Sequence, residues 1–247
     1  QLGGRNRRLI WWTSIAASVV VLVVAGWWFG REPEPKSGNV QIMAEAIQPG
    51  QSRAVVTLAD GQQIVLEQAN RKIEESDGTV LHSDSGALVY TANAEKTVAK
   101  VMYNKVSIPR GGEYRLELAD GTKVWLNAAT ELRFPVNFTG DMREVYLKGE
   151  AYFQVKRDEK HPFIVHTSMG AVEVLGTSFN VRDYEDEREV VTTLETGKVM
   201  YVSGNTREKV TLNPGYQVLE KESSPVEVRK VDPLQYTGWR EGKYVFE

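Results

Sequence analysis

The phrase Leu-Ala-Asp-Gly occurs twice, at 58–61 and 118–121, and each copy is flanked on both sides by residues that alternate apolar and polar. Alternation of period two is the signature of a strand with one face against a core, so each copy reads as the turn of a β-hairpin. Around the second copy the apolar set is Tyr114, Leu116, Leu118, Val124 and Leu126; around the first it is Ala54, Val56, Leu58, Ile64 and Leu66. A two-residue Asp-Gly loop would set Leu116 against Trp125 and Glu117 against Val124, mixing the faces. A three-residue Ala-Asp-Gly loop pairs Leu118 with Thr122, Leu116 with Val124 and Tyr114 with Leu126. It leaves Glu117 opposite Lys123 on the wet side, together with Trp125. The predicted turn is therefore type I, closed by glycine in the left-handed region. Gly61 and Gly121 supply the positive φ, and Asp60 and Asp120 brace the turns by side chain to backbone bonds. That chemistry accounts for both aspartates without calcium or acid catalysis.

The repeat extends at the same 60-residue offset, matching Pro49 with Pro109, Leu66 with Leu126 and Ala69 with Ala129. This implies two related units, 46–106 and 107–232. The β pattern persists through 143–157 around Gly149, through 163–184 about Gly170, and through hairpins at Thr196-Gly197 and Asn213-Pro214-Gly215. After residue 40 no long apolar stripe of helical period occurs. The expectation is an all-β region, a sandwich or a solenoid-like coiled sheet built from β-hairpins.

Ahead of this region, Leu9 to Phe29 runs 21 residues without a charge. About 20 residues span a ~30 Å hydrocarbon core as a helix. Trp11, Trp12, Trp27 and Trp28 bracket the run as interfacial belts do, and Arg7 and Arg8 before it place the N-terminus in the cytoplasm. A cleaved leader would have a shorter apolar region and a small-residue exit, unlike Gly26-Trp27-Trp28-Phe29. The reading is one retained transmembrane helix, with a cytoplasmic stub (1–8), the helix (9–29), a Pro-containing linker (30–45) and the bulk in the periplasm.

Residues 1–31 hold four arginines and no acid, which leaves 26 basic and 33 acidic residues in the remainder. No cationic stripe is left there to neutralise phosphates, so nucleic-acid binding is not expected. With no cysteine in the chain, disulfides and thiolate metal sites are excluded. His82, His161 and His166 stand in no metal spacing. No Walker loop, GxGxxG or GxSxG elbow is present, so neither cofactor, metal nor hydrolytic site is expected. Asp141, Glu144 and Glu150 read as solvated residues flanking a turn, and Asn137-Phe138-Thr139 matches a glycosylation sequon by letters alone. In Leu175-Gly176-Thr177 a hydroxyl follows a glycine carbonyl, so a strained backbone would let Thr177 Oγ1 attack Gly176 C. Such pairs are common; the plainer reading is a strand start where glycine permits close packing.

IPRGGEYRLELADGTKVWLNAATELRFPVNF (108–138), REVYLKGEAYFQVKRDEKHPFIVHT (143–167) and VEVLGTSFNVRDYEDE (172–187), followed by TTLETGKV, VTLNPGYQ and GWREGKYVF, resemble the FecR family of transmembrane anti-sigma factors, especially its Bacteroidetes-type members. The resemblance implies a single-pass inner-membrane regulator, not an enzyme. Such a protein transmits a signal from a TonB-dependent outer-membrane transporter to an extracytoplasmic-function sigma factor. It also implies a sigma-binding domain before Gln1, and a C-terminal domain like the short N-terminal domains of secretins and TonB-dependent receptors, of which 233–247 would be the start. Some members cleave themselves at the matching Gly-Thr, here Gly176-Thr177. The competing reading is a membrane-anchored periplasmic glycan- or peptidoglycan-binding β-module, for which Trp125 is the candidate aromatic.

Overall fold

Strand by strand, burial follows the alternation: Gly112–Glu117 and Lys123–Leu126 bury every second residue, and so does Val199–Ser203. The structure, a computed structural model, describes residues 51–66, 71–74, 79–84, 87–91 and 101–243. The membrane span 9–29, its anchors Arg7, Arg8, Trp11, Trp12, Trp27 and Trp28, and the linker lie outside the described residues. Among the described residues no helix is long and apolar enough to cross a membrane.

The first strands in chain order are β1 (Gln51–Ser52), β2 (Ala54–Thr57), β3 (Gln63–Leu66), β4 (Arg71–Glu74), β5 (Val80–Asp84) and β6 (Ala87–Thr91). Then come β7 (Tyr103–Ser107), β8 (Gly112–Glu117), β9 (Lys123–Leu126), β10 (Glu131–Pro135), β11 (Arg143–Gln154) and β12 (Phe163–His166). The last are β13 (Gly170–Val174), β14 (Ser178–Asp183), β15 (Glu189–Thr196), β16 (Val199–Ser203), β17 (Lys209–Leu212), β18 (Tyr216–Lys221) and β19 (Glu227–Lys230). One helical turn, α1 (Leu234–Thr237), runs into a 3-10 turn, Gly238–Glu241.

These strands build two layers. The first is ordered β3-β2-β7-β10-β11-β12-β13-β16-β17 and the second β4-β5-β6-β8-β9-β11-β14-β15-β18-β19, with β1 beside β8. From β12 onward hairpins alternate between layers, and every second strand, starting with β11, also pairs with the strand three places on: β11 with β14, β13 with β16, β15 with β18. The ribbon therefore coils on itself, and both anticipated forms, sandwich and coiled sheet, describe part of it.

β11 belongs to both layers. Its first half pairs with β10 and β12, its second half with β9 and β14. The corner falls at Gly149, with φ +99°, where a Cβ would sit 2.6 Å from Thr130 Oγ1 and 2.7 Å from Thr130 Cα. Only glycine fits both that dihedral and that approach. Between the layers one apolar core is shared: Val106, Leu132, Val165 and Val172 from the first, Leu116, Val124, Phe179 and Leu194 from the second. Phe153 joins them, its ring stacked on Phe179 at 5.3 Å and 6.1 Å from Phe163 of the first layer.

Candidate functional site

Both Leu-Ala-Asp-Gly phrases form the same three-residue hairpin. Leu58 N–H donates to Gln62 O and Gly61 N–H to Leu58 O, both at 2.9 Å; the second copy repeats this from Leu118 to Thr122 at 2.9 Å and from Gly121 to Leu118 at 2.8 Å. The register sets Leu116 opposite Val124, Glu117 opposite Lys123 and Val56 opposite Ile64. Gly61 and Gly121 have φ of +88° and +85°. Asp60 Oδ1 accepts from Gln62 N and Asp120 Oδ1 from Thr122 N, each at 2.9 Å.

The two turns then diverge. Asp60 is exposed, whereas Asp120 Oδ2 accepts from Arg143 Nη1 at 2.6 Å, with the arginine side chain only 4% exposed. Arg143 also donates to the carbonyls of His161 (2.8 Å) and Lys156 (3.0 Å). It thus ties the second turn to the 156–161 loop and to the start of β11.

Glu150, read above as solvated, is buried; this is a correction. β11 turns its side chain outward, where Asn127 Nδ2 (2.8 Å) and Asn180 Nδ2 (2.9 Å) donate to its two oxygens. Burial pushes the carboxyl above its ordinary range, and those two hydrogen bonds oppose the push. Asp141 is exposed, and Glu144 binds His166 at 3.1 Å. His161 pairs with Asp158, whose carboxyl the histidine bond and the Lys160 N–H pull down to about 2. The Asn137 amide donates to Thr79 Oγ1 at 3.1 Å. Among the described residues no group of three or more His, Asp or Glu could hold a metal.

Gly176 and Thr177 lie between β13 and β14. A Cβ on Gly176 would come within 2.6 Å of Arg157 Cα, so glycine is needed there for close packing. Thr177 is buried; its Oγ1 donates to Lys198 O at 2.9 Å, and its own carbonyl accepts from Val155 N at 3.0 Å. The turn at Gly197 (φ +91°) presses on the same peptide: a Cβ there would lie 2.9 Å from Thr177 Oγ1 and 3.1 Å from Gly176 O. Beside it opens a cavity of about 400 Å³ lined by Arg157, Glu173, Leu175, Lys198 and Met200 among others.

Besides Trp125, the outward face of the second layer carries residues that the sequence reading left out. A row runs Arg115, Trp125, Tyr152, Asn180, Thr193 and Gln217 across successive strands. Tyr152 and Asn180 are each only 2% exposed although they point away from the core. The cover is Trp125, which meets Tyr152 edge-on at 5.6 Å, and the segment 234–241. Trp125 is half-buried, with the Arg115 guanidinium 5.0 Å over its ring. Burial, and after it the bond to Glu195, push the Tyr152 hydroxyl up to about 12.

Fold and site together define an all-β scaffold module, a coiled two-layer ribbon whose outward face is capped by its own C-terminal segment. Residues 104–200 match the family model described as FecR protein. Two crystal structures of a candidate anti-sigma factor from Parabacteroides distasonis are similar. One is 36% identical with a TM-score of 0.55, covering 57% of this chain; the other is 37% identical with a TM-score of 0.54, covering 56%. The chain spans 66% and 65% of the lengths of those two structures. No curated protein matches the chain.

Proposed function

We propose that this protein is an anti-sigma regulator, held in the inner membrane by the span 9–29, that passes a signal from a TonB-dependent outer-membrane transporter to an extracytoplasmic-function sigma factor. The observation that carries this reading is the match of residues 104–200 to the FecR family model, together with the chain's likeness in sequence and fold to the Parabacteroides distasonis anti-sigma candidate. The glycan-binding alternative has less behind it. A sugar needs an open aromatic face, and the Trp125 ring is half-buried, with the Arg115 guanidinium over it and Tyr152 in T-shaped contact.

Within this reading the Gly176–Thr177 peptide is the point of self-cleavage. The hydroxyl that would attack is held in place by the Lys198 carbonyl, and the attacked carbonyl belongs to a residue without a Cβ to crowd it. Oγ1 adds to Gly176 C, the amide nitrogen leaves as the new amine of Thr177, and water then opens the ester.

One experiment addresses both parts. The tagged protein is purified gently from its native envelope, and its companions and fragments are identified by mass spectrometry. A sigma factor and a transporter among the companions, with a fragment ending at Gly176 that is absent from Thr177→Ala, is the expected result. Cell-wall glycan without a sigma factor would transfer the case to the binding module.

A further inference from the structure

The segment 234–241 is fastened to the second layer by two side chains. Trp239 Nε1–H donates to Asn180 Oδ1 at 3.2 Å. The Arg240 guanidinium lies 3.9 Å from the centre of the Tyr152 ring and donates through Nη2 to Glu195 Oε1 at 3.2 Å. The Tyr152 hydroxyl donates to the other oxygen of the same carboxylate. Glu195 is thus gripped on one side by the C-terminal segment and on the other by the sheet, in a setting where the arginine side chain is 20% exposed. A cation stacked on a ring while bonded to a carboxylate is stronger here than at an open surface, because less water competes.

The grip lies next to the corner at Gly176 and Thr177. Glu195 directly precedes the Thr196–Gly197 turn that presses on those two residues, and Thr196 pairs with Ser178 across β14 and β15. Load applied to the chain at Lys243 therefore reaches the sheet first at Trp239 and Arg240, then Glu195, then the turn over Thr177.

We propose that residues 234–241 are a latch: seated, they hold the Thr196–Gly197 turn against the Gly176–Thr177 peptide; lifted, they free that corner. The latch's consequence for cleavage rests on the self-cleavage reading above, whereas its effect on local opening does not. The occupant of the face is the chain's own segment, so a partner pulling on the chain at Lys243 would act by displacement.

The test is amide hydrogen exchange on the full chain, read by mass spectrometry, for wild type, Arg240→Ala, Arg240→Lys and Trp239→Ala. Two reporters sit at the corner: Val155 N–H, bonded to Thr177 O at 3.0 Å, and Asp158 N–H, bonded to Leu175 O at 2.8 Å. Arg143 N–H and Ser203 N–H, both in the first layer, are the controls. Removing the stacked, bonded guanidinium should speed exchange at Val155 and Asp158 about tenfold and leave the controls unchanged. Arg240→Lys, which keeps charge but loses the planar stack, should lie between. Unchanged exchange at Val155 and Asp158 in both alanine variants overturns the latch, and so does equal acceleration in both layers, which is general loosening. Faster exchange at the corner with no fragment ending at Gly176 in any sample sustains the latch and sinks the self-cleavage reading instead.

Discussion

Two asparagine amides aim their NH2 groups at Glu150, and neither can turn round. The Asn127 oxygen accepts from Ala128 N–H at 2.8 Å, and the Asn180 oxygen accepts from Trp239 Nε1 at 3.2 Å. Glu150 is thereby specified as an acceptor on both oxygens while burial works against its charge. Because its pKa is raised in the folded state, the folded chain binds that proton more tightly than the unfolded chain. Between the ordinary value of 4.5 and the raised one, stability from this group falls as pH rises and grows as pH falls. Glu150→Gln removes the titration. At neutral pH the variant should be about 1–3 kcal/mol less stable, since its NH2 is set against a locked asparagine NH2 and the charge no longer buried offsets only part of that. The informative quantity is wild type minus variant from urea titrations, which should increase as pH is lowered towards 4.5. A flat difference over that range would mean Glu150 is not the buried acid described.

At the scale of the element, one turn written twice does two jobs. The hairpin itself was legible, because apolar residues on both flanks of Asp-Gly permit only the register that keeps one face dry. The difference between copies was not, because it depends on Arg143, which lies 23 residues beyond Asp120 and reaches it only once β11 is in place. Asp60→Ala loses one exposed bond to Gln62 N–H and should cost about 0.5–1 kcal/mol. Asp120→Ala also strands a buried guanidinium and should cost about 3 kcal/mol or more. Parallel urea curves for the two variants decide this; equal midpoints would reduce Asp120 to a turn residue like its counterpart. Signals of the cover over the second layer were present but weaker. Ala151, Tyr152 and Phe153 form an unbroken apolar run where a half-exposed strand would alternate, and such a run requires something on both faces.

For the whole molecule, alternation marks which residues face inward but not which layer receives each strand. Val145, Leu147, Ala151, Phe153 and Val155 keep one phase throughout, so the sequence around Gly149 reads equally as one strand or two. Layer choice is made by distant residues: Thr130, whose Oγ1 accepts from Glu150 N–H at 2.9 Å, sits where any Cβ at Gly149 would have to go. Since β11 crosses there and Phe153 packs between Phe163 and Phe179, neither layer retains its core without the other. Unfolding of the described β region should therefore be one transition, with circular dichroism and tryptophan fluorescence tracking together. Gly149→Ala combines a positive φ with a clash into backbone, and should lower stability by about 3 kcal/mol while both probes still move together. A variant in which one probe shifts and the other stays would show that the layers are separable, and that β11 merely passes from one to the other.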